Sequence, residues 1–214
     1  MIPLTPPPSN LWLDLSERKN AAGAWLPWNG RSGARKVFVD RFRVWASKNQ
    51  HERCAFCMLS FGAGPRRTAD LDHLVPKANS KYPEWTYEAL NLVIACSWCN
   101  QRIKRAQDFL LPPKPAPTHY SSVQLSIVHP YLDQDRSAHF LGGYLGGASK
   151  PRAIRGISSA GKATIKAFEI GTPNHLEMWR QEYRGAIRRQ RQEVLPGGLA
   201  GKLHQMMVEL RLRA

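Results

Sequence analysis

Negative charge is scarce in this chain: its 214 residues carry 16 Asp plus Glu against 31 Lys plus Arg, a formal net charge of +15. A surface so short of acids holds a positive potential almost everywhere, which suits polyanions, nucleic acid first among them; a membrane surface or a merely solvated basic surface are the alternatives. Long hydrophobic runs are also missing. No apolar stretch approaches the roughly 18 residues of a membrane-spanning helix, and the start, MIPLTPPPSN, has neither a basic n-region nor an apolar h-region. The expectation is a cytoplasmic protein without a membrane partner. Cysteine is limited to four residues, and a reducing compartment excludes a disulfide framework for them. No internal repeat, low-complexity tract or Walker phosphate-binding loop is present.

What is present suffices for a folded core, since 43% of the residues are hydrophobic. Residues 1–50 read as an N-terminal arm and helix: the first 34 are irregular and rich in Pro, Gly, Trp and Asn, including LPWNGRSG, with Trp12, Trp25 and Trp28 available for packing. A helix from Arg35 to Asn49 follows, with Phe38, Phe42 and Trp45 on its buried face. Residues 51–112 hold every cysteine and end at the Pro-rich LPPKPAPT. Residues 113–214 read as a helical extension that begins loop-rich, around LGGYLGG. It then forms helices over Ser159–Glu169, Pro173–Val194 and Leu199–Leu212. In the second of these, Leu176, Trp179, Tyr183 and Ile187 line one side, while Arg180, Arg184, Arg188 and Arg191 line another.

The cysteines come as CAFC (54–57) and CSWC (96–99), two Cys-x2-Cys pairs. Each such turn points two thiolates at one place, half of a tetrahedral zinc shell. Together, Cys54, Cys57, Cys96 and Cys99 make a closed, structural site with no open position for water. Redox cysteines or buried free thiols are the alternatives, but CAFC sits on no βαβ unit. The 38 residues between the pairs imply that the metal staples the two ends of an inserted substructure. Within it, TADLDHLVPKA reads as a strand running into a Pro turn, NLVIA as a second strand, and CSWCNQRIKRAQDFL as a helix carrying Asn100 and Lys104 on one face.

In that frame the residues Asp72, His73, Pro76, Lys77, Asn91, Cys96, Cys99, Asn100 and Lys104 resemble the motif of the HNH endonucleases. The resemblance covers roughly residues 51–111. It implies an α+β fold: a ββα-metal core with a structural zinc held by the four cysteines, embedded in mainly helical N- and C-terminal extensions. It also implies metal-dependent hydrolysis of DNA phosphodiesters, leaving 5′-phosphate and 3′-hydroxyl ends; RNA stays open as a second substrate class. By the resemblance, His73 is the general base, and Asp72 and Asn100 hold one Mg²⁺ or Mn²⁺. Asn91 fixes the loop and the histidine, and Lys77, Arg102, Lys104 and Arg105 bind phosphates. Asp70 either supports the site from behind or simply sits on the strand.

The segment IVHPYLDQDRSAHFLGGYLGG resembles, more weakly, the extension of bacterial HNH proteins encoded beside an ATPase in Septu-like and some retron anti-phage systems. That implies a defence effector and, as this chain has no phosphate-binding loop, a separately encoded ATPase partner. His129, Asp133 and His139 in this segment read better as a hydrogen-bonded loop than as a second metal site, and His51, His119, His175 and His204 as structural or exposed. The arginine row of the long helix suits either DNA or a partner. The rival class is a zinc-stapled module that binds nucleic acid or a partner without cutting.

Overall fold

Leu92–Cys96 is a run of apolar residues without alternation, the pattern of a strand covered on both faces. The computed structural model, which describes residues 4–61, 68–77, 81–194 and Met206, places it so. This strand, β2, pairs antiparallel with β1 (Ala69–His73). The register sets Leu71 opposite Ile94, Asp72 opposite Val93 and His73 opposite Leu92. Neighbouring side chains on a strand point to opposite faces. Leu71, Leu92 and Ile94 therefore meet one layer, with Val93 and Ala95 in the other.

The first layer is α1 (Gly33–Asn49), whose buried residues Phe38, Val39, Phe42 and Ala46 recur at helical spacing. Trp45 is half-buried beside them. The side chain of Gln50, the residue whose backbone N–H caps α1, completes the free edge of β2: its Oε1 accepts from the Ile94 N–H at 2.8 Å and its Nε2 donates to the Ile94 carbonyl at 2.7 Å. That edge is thereby closed to other strands. The arm before α1 is irregular apart from short 3₁₀ turns at Ser9–Leu11 and Leu15–Arg18. Of its tryptophans, Trp12 is exposed, while Trp25 and Trp28 are half-buried.

The second layer comes from the C-terminal extension. Ser159–Phe168 forms α2 and Pro173–Val194 forms α3. Phe168 stacks on Phe56 with ring centroids 4.0 Å apart. Trp179 and His175 both reach the Cys57 carbonyl, at 2.8 and 3.0 Å. Glu182 pairs with Arg53 and accepts from the Ser60 N–H, so α3 is docked on the first cysteine turn. On its other side Arg180, Arg184 and Arg188 are exposed, and Glu177 pairs with the first two. One hydrophobic core thus runs from Leu4 through both cysteine pairs to Trp179.

Two expectations need correction. The helix expected over CSWCNQRIKRAQDFL does not run through to Leu110. It is a π-helix over Trp98–Lys104, ended by Arg105 at φ +52°. The chain then turns so that Phe109 enters the core and Leu110 bridges to Leu125. The stretch around LGGYLGG contains a hairpin, Phe140–Gly143 (β3) with Arg152–Gly156 (β4), so the extension is not purely helical. Gly142 and Gly143 have positive φ, and a Cβ on Gly142 would lie 2.0 Å from the Ala153 carbonyl oxygen. The fold class is α+β, with small antiparallel sheets among helices. The helix expected over Leu199–Leu212, with His204, lies outside the described residues apart from exposed Met206.

Phe42 is fully buried between α1 and the sheet, whereas Val44 is 73% exposed. Phe42→Ala is expected to cost about 3–5 kcal/mol in urea unfolding, and Val44→Ala less than about 0.5 kcal/mol.

Candidate functional site

Cys54, Cys57, Cys96 and Cys99 are all buried, and their sulfurs lie within 4.8 Å of one another. A tetrahedron of sulfurs about 2.3 Å from a zinc ion has edges of about 3.8 Å, and the Cys57 and Cys96 sulfurs are 3.8 Å apart. The Cys99 N–H points at the Cys96 sulfur from 3.5 Å, as suits a thiolate. Hydrogen bonding to Cys54 and the other thiols holds Cys96 far below the usual thiol range, while bonding to Cys54 and Cys96 pushes Cys57 up against an opposing effect of Cys99, and Cys54, Cys57 and Cys96 push Cys99 up. The cluster can therefore hold a structural metal ion, and four closely spaced cysteine sulfurs are a donor set that structural zinc takes. Among the described residues it is the only such group. His129, Asp133 and His139 are instead engaged in local bonds, with His129 Nε2 left buried and, among the described residues, without a hydrogen-bond partner. His129 Nδ1 accepts from the Tyr131 and Leu132 N–H groups, Asp133 accepts from the His129 N–H, and His139 bonds Ser158.

At the other end of the sheet, β1 runs into a cleft of about 220 Å³. Its walls include Asp72, His73, Lys77, Asn100, Lys104 and Arg105. Because Asp72 and His73 are adjacent on the strand, they leave it on opposite faces and meet only where β1 ends. His73 turns toward the arm. Its Nε2 lies 2.9 Å from the Thr86 carbonyl, and its ring meets Trp28 edge-on at 4.7 Å. A carbonyl can only accept, so Nε2 carries the proton and Nδ1 keeps its lone pair. Burial pushes the imidazole pKa down to about 3, and the charges of Lys77, Lys104 and Arg31 act in the same direction. His73 is therefore neutral at neutral pH.

Asp72 turns toward the π-helix, where its Oδ1 receives the Lys104 ammonium at 3.1 Å. Among the described residues its Oδ2 is buried without a hydrogen-bond partner. Burial raises the Asp72 pKa, and Lys104 opposes the rise. An unpartnered buried carboxylate oxygen is costly, and it shares the cleft with Asn100; carboxylate and amide oxygens are the donors that a hard divalent cation takes.

Asn91 stands behind the cleft. Its amide is saturated by the Val75 N–H and carbonyl, the Trp85 carbonyl and the Tyr120 hydroxyl, so it fixes the loop that follows His73. Arg102 does not line the cleft and lies over the Trp98 ring at 5.8 Å. Asp70 accepts from the Gln101 amide at 3.2 Å. Lys104 is 1% exposed and held by Asp72, unlike the solvent-facing Lys77 and Arg105.

Sequence reasoning did not single out Arg31. It lies over Trp28 at 4.6 Å while Lys77 approaches the same ring at 5.1 Å, which sets two cations beside His73. The only signal for Arg31 in the sequence is the mixture of aromatic and basic residues in LPWNGRSG.

The purified chain is expected to contain about one zinc per molecule by elemental analysis. Cys96→Ser should lose most of that zinc and unfold at lower denaturant, because the remaining sulfurs no longer close a tetrahedron. No family model, curated protein or solved structure matches this chain.

Proposed function

We propose that this chain is a metal-dependent endonuclease of the HNH type, acting on DNA phosphodiester bonds. The observation that carries the reading is the meeting of Asp72, with its unpartnered Oδ2, neutral His73 and Asn100 in one cation-rich cleft at the end of β1. His73, oriented by the Thr86 carbonyl and the edge of Trp28, takes a proton from water at Nδ1. Asp72 and Asn100 would hold Mg²⁺ or Mn²⁺, which would supply positive charge to offset the negative charge that builds up during phosphodiester hydrolysis. Lys77, Arg105 and Arg31 bind the scissile strand through its phosphates. Asn91 ties Val75 to Trp85 beside the cleft. The products are 5′-phosphate and 3′-hydroxyl ends. The resemblance of the late segment supports a role as a bacterial anti-phage effector under a separately encoded ATPase.

One observation favours the rival, a module that binds without cutting: an ammonium already occupies one oxygen of Asp72. Plasmid cleavage separates the two. Wild-type protein is expected to nick supercoiled DNA with Mg²⁺ or Mn²⁺ and not with EDTA. His73→Ala, folded and zinc-loaded, should lose at least about 100-fold of that rate. DNA binding without metal-dependent nicking, unchanged by His73→Ala and not converted to His73-dependent cutting by an added ATPase partner, would establish the rival.

Arg31→Ala tests the cation cluster by itself. DNA affinity should fall, and the slope of log affinity against log salt should decrease by about one, as expected when one fewer phosphate is neutralised.

A further inference from the structure

We propose that Lys104 is a resident cation of the metal site: its ammonium holds the carboxylate of Asp72 in place of a divalent ion and keeps metal binding weak until nucleic acid arrives. The inference rests on the reading of Asp72 as a metal ligand.

Lys104 is buried more deeply than any other lysine or arginine with a described side chain. A buried ammonium survives only with a counter-charge, and its one ion pair among the described residues is with Asp72 Oδ1, at 3.1 Å. The pairing does not use up the carboxylate, because Oδ2 is left buried and unpartnered on the same group. The result is a ligand oxygen held ready beside a fixed positive charge. Asn100, the other candidate ligand, begins the same turn of the π-helix that ends at Lys104, and both line the cleft. The sequence thus delivers a ligand and its competitor from one element.

The wider charge balance points the same way. Lys77, Lys104, Arg105 and nearby Arg31 face a single cleft carboxylate, Asp72. A divalent ion entering this site meets net positive charge, whereas a phosphodiester brings the negative charge that both the ion and these side chains need. Metal and nucleic acid should therefore bind with positive coupling, each strengthening the other by the same factor. A lysine with a merely structural role predicts the opposite sign on removal: the site would loosen and metal affinity would fall.

The test is Mn²⁺ binding to the full, zinc-loaded chain, followed by electron paramagnetic resonance without nucleic acid at pH 8, so that a proton does not take the ammonium's place. Lys104→Gln removes the charge and keeps a hydrogen-bond donor for Asp72; Lys104→Met removes both; Lys104→Arg keeps the charge. The glutamine variant is expected to bind Mn²⁺ about tenfold more tightly than wild type or better, the arginine variant to stay weak, and Asp72→Asn to lose the site. If Lys104→Met folds poorly, Mn²⁺ should raise its thermal midpoint more than that of wild type, and the glutamine variant still decides the matter.

Glutamine-variant binding no tighter than wild type, with a site still lost in Asp72→Asn, would overturn the resident cation and leave the metal site standing. If neither wild type nor Lys104→Gln binds millimolar Mn²⁺, or if Asp72→Asn binds it as well as wild type, the metal site at Asp72 and the inference fall together.

Discussion

The convergence of four buried sulfurs is the constraint on which the rest of the molecule depends. Each cysteine pair closes one end of the sheet's surroundings: the first turn bonds Ala55 N–H to the Ile94 carbonyl at 3.0 Å, and the second begins where β2 ends. α3 then reads the position of the first turn through the Cys57 carbonyl. The π-helix that carries Asn100 and Lys104 springs directly from the second. A sulfur displaced by an ångström would move both the helix that carries the cleft residues and the helix that packs the core. The cluster and the cleft stand at opposite ends of β2, so the first can be closed and structural while the second stays open to solvent.

Much of this was legible because the signals were short in range. Two cysteines three positions apart define a metal-binding turn whatever surrounds them, and LVIAC declares a strand covered on both faces. Phe38 and Phe42 mark the buried side of α1 by spacing alone. The strand ending at His73 was legible for the same reason: its polar and apolar residues alternate from Ala69 to Asp72, and a proline follows closely at position 76.

What was not legible depended on winding or on distance along the chain. Asn100 and Lys104 share a side of their helix as expected, but how deeply Lys104 sinks depends on a π-helix of seven residues that closes at Arg105. Helical spacing does not encode that depth. Arg31 reaches His73 only through the path of the arm, more than 40 positions away in sequence. The hairpin of Phe140–Gly143 and Arg152–Gly156 escaped because its first strand ends in two positive-φ glycines and a register shift, which together erase the alternation that announces a strand.

The two-faced burial of β2 bears on portability. Leu92 and Ile94 lie against α1, Val93 and Ala95 against the core shared with the extension. A fragment cut to the cysteine-bounded unit would bare an apolar surface on each side of a two-stranded sheet, too small to stand without its covers. Such a fragment is a poor cassette for grafting into another protein. Exchange between relatives would have to carry the arm, α1 and the late helices together, as one inherited block.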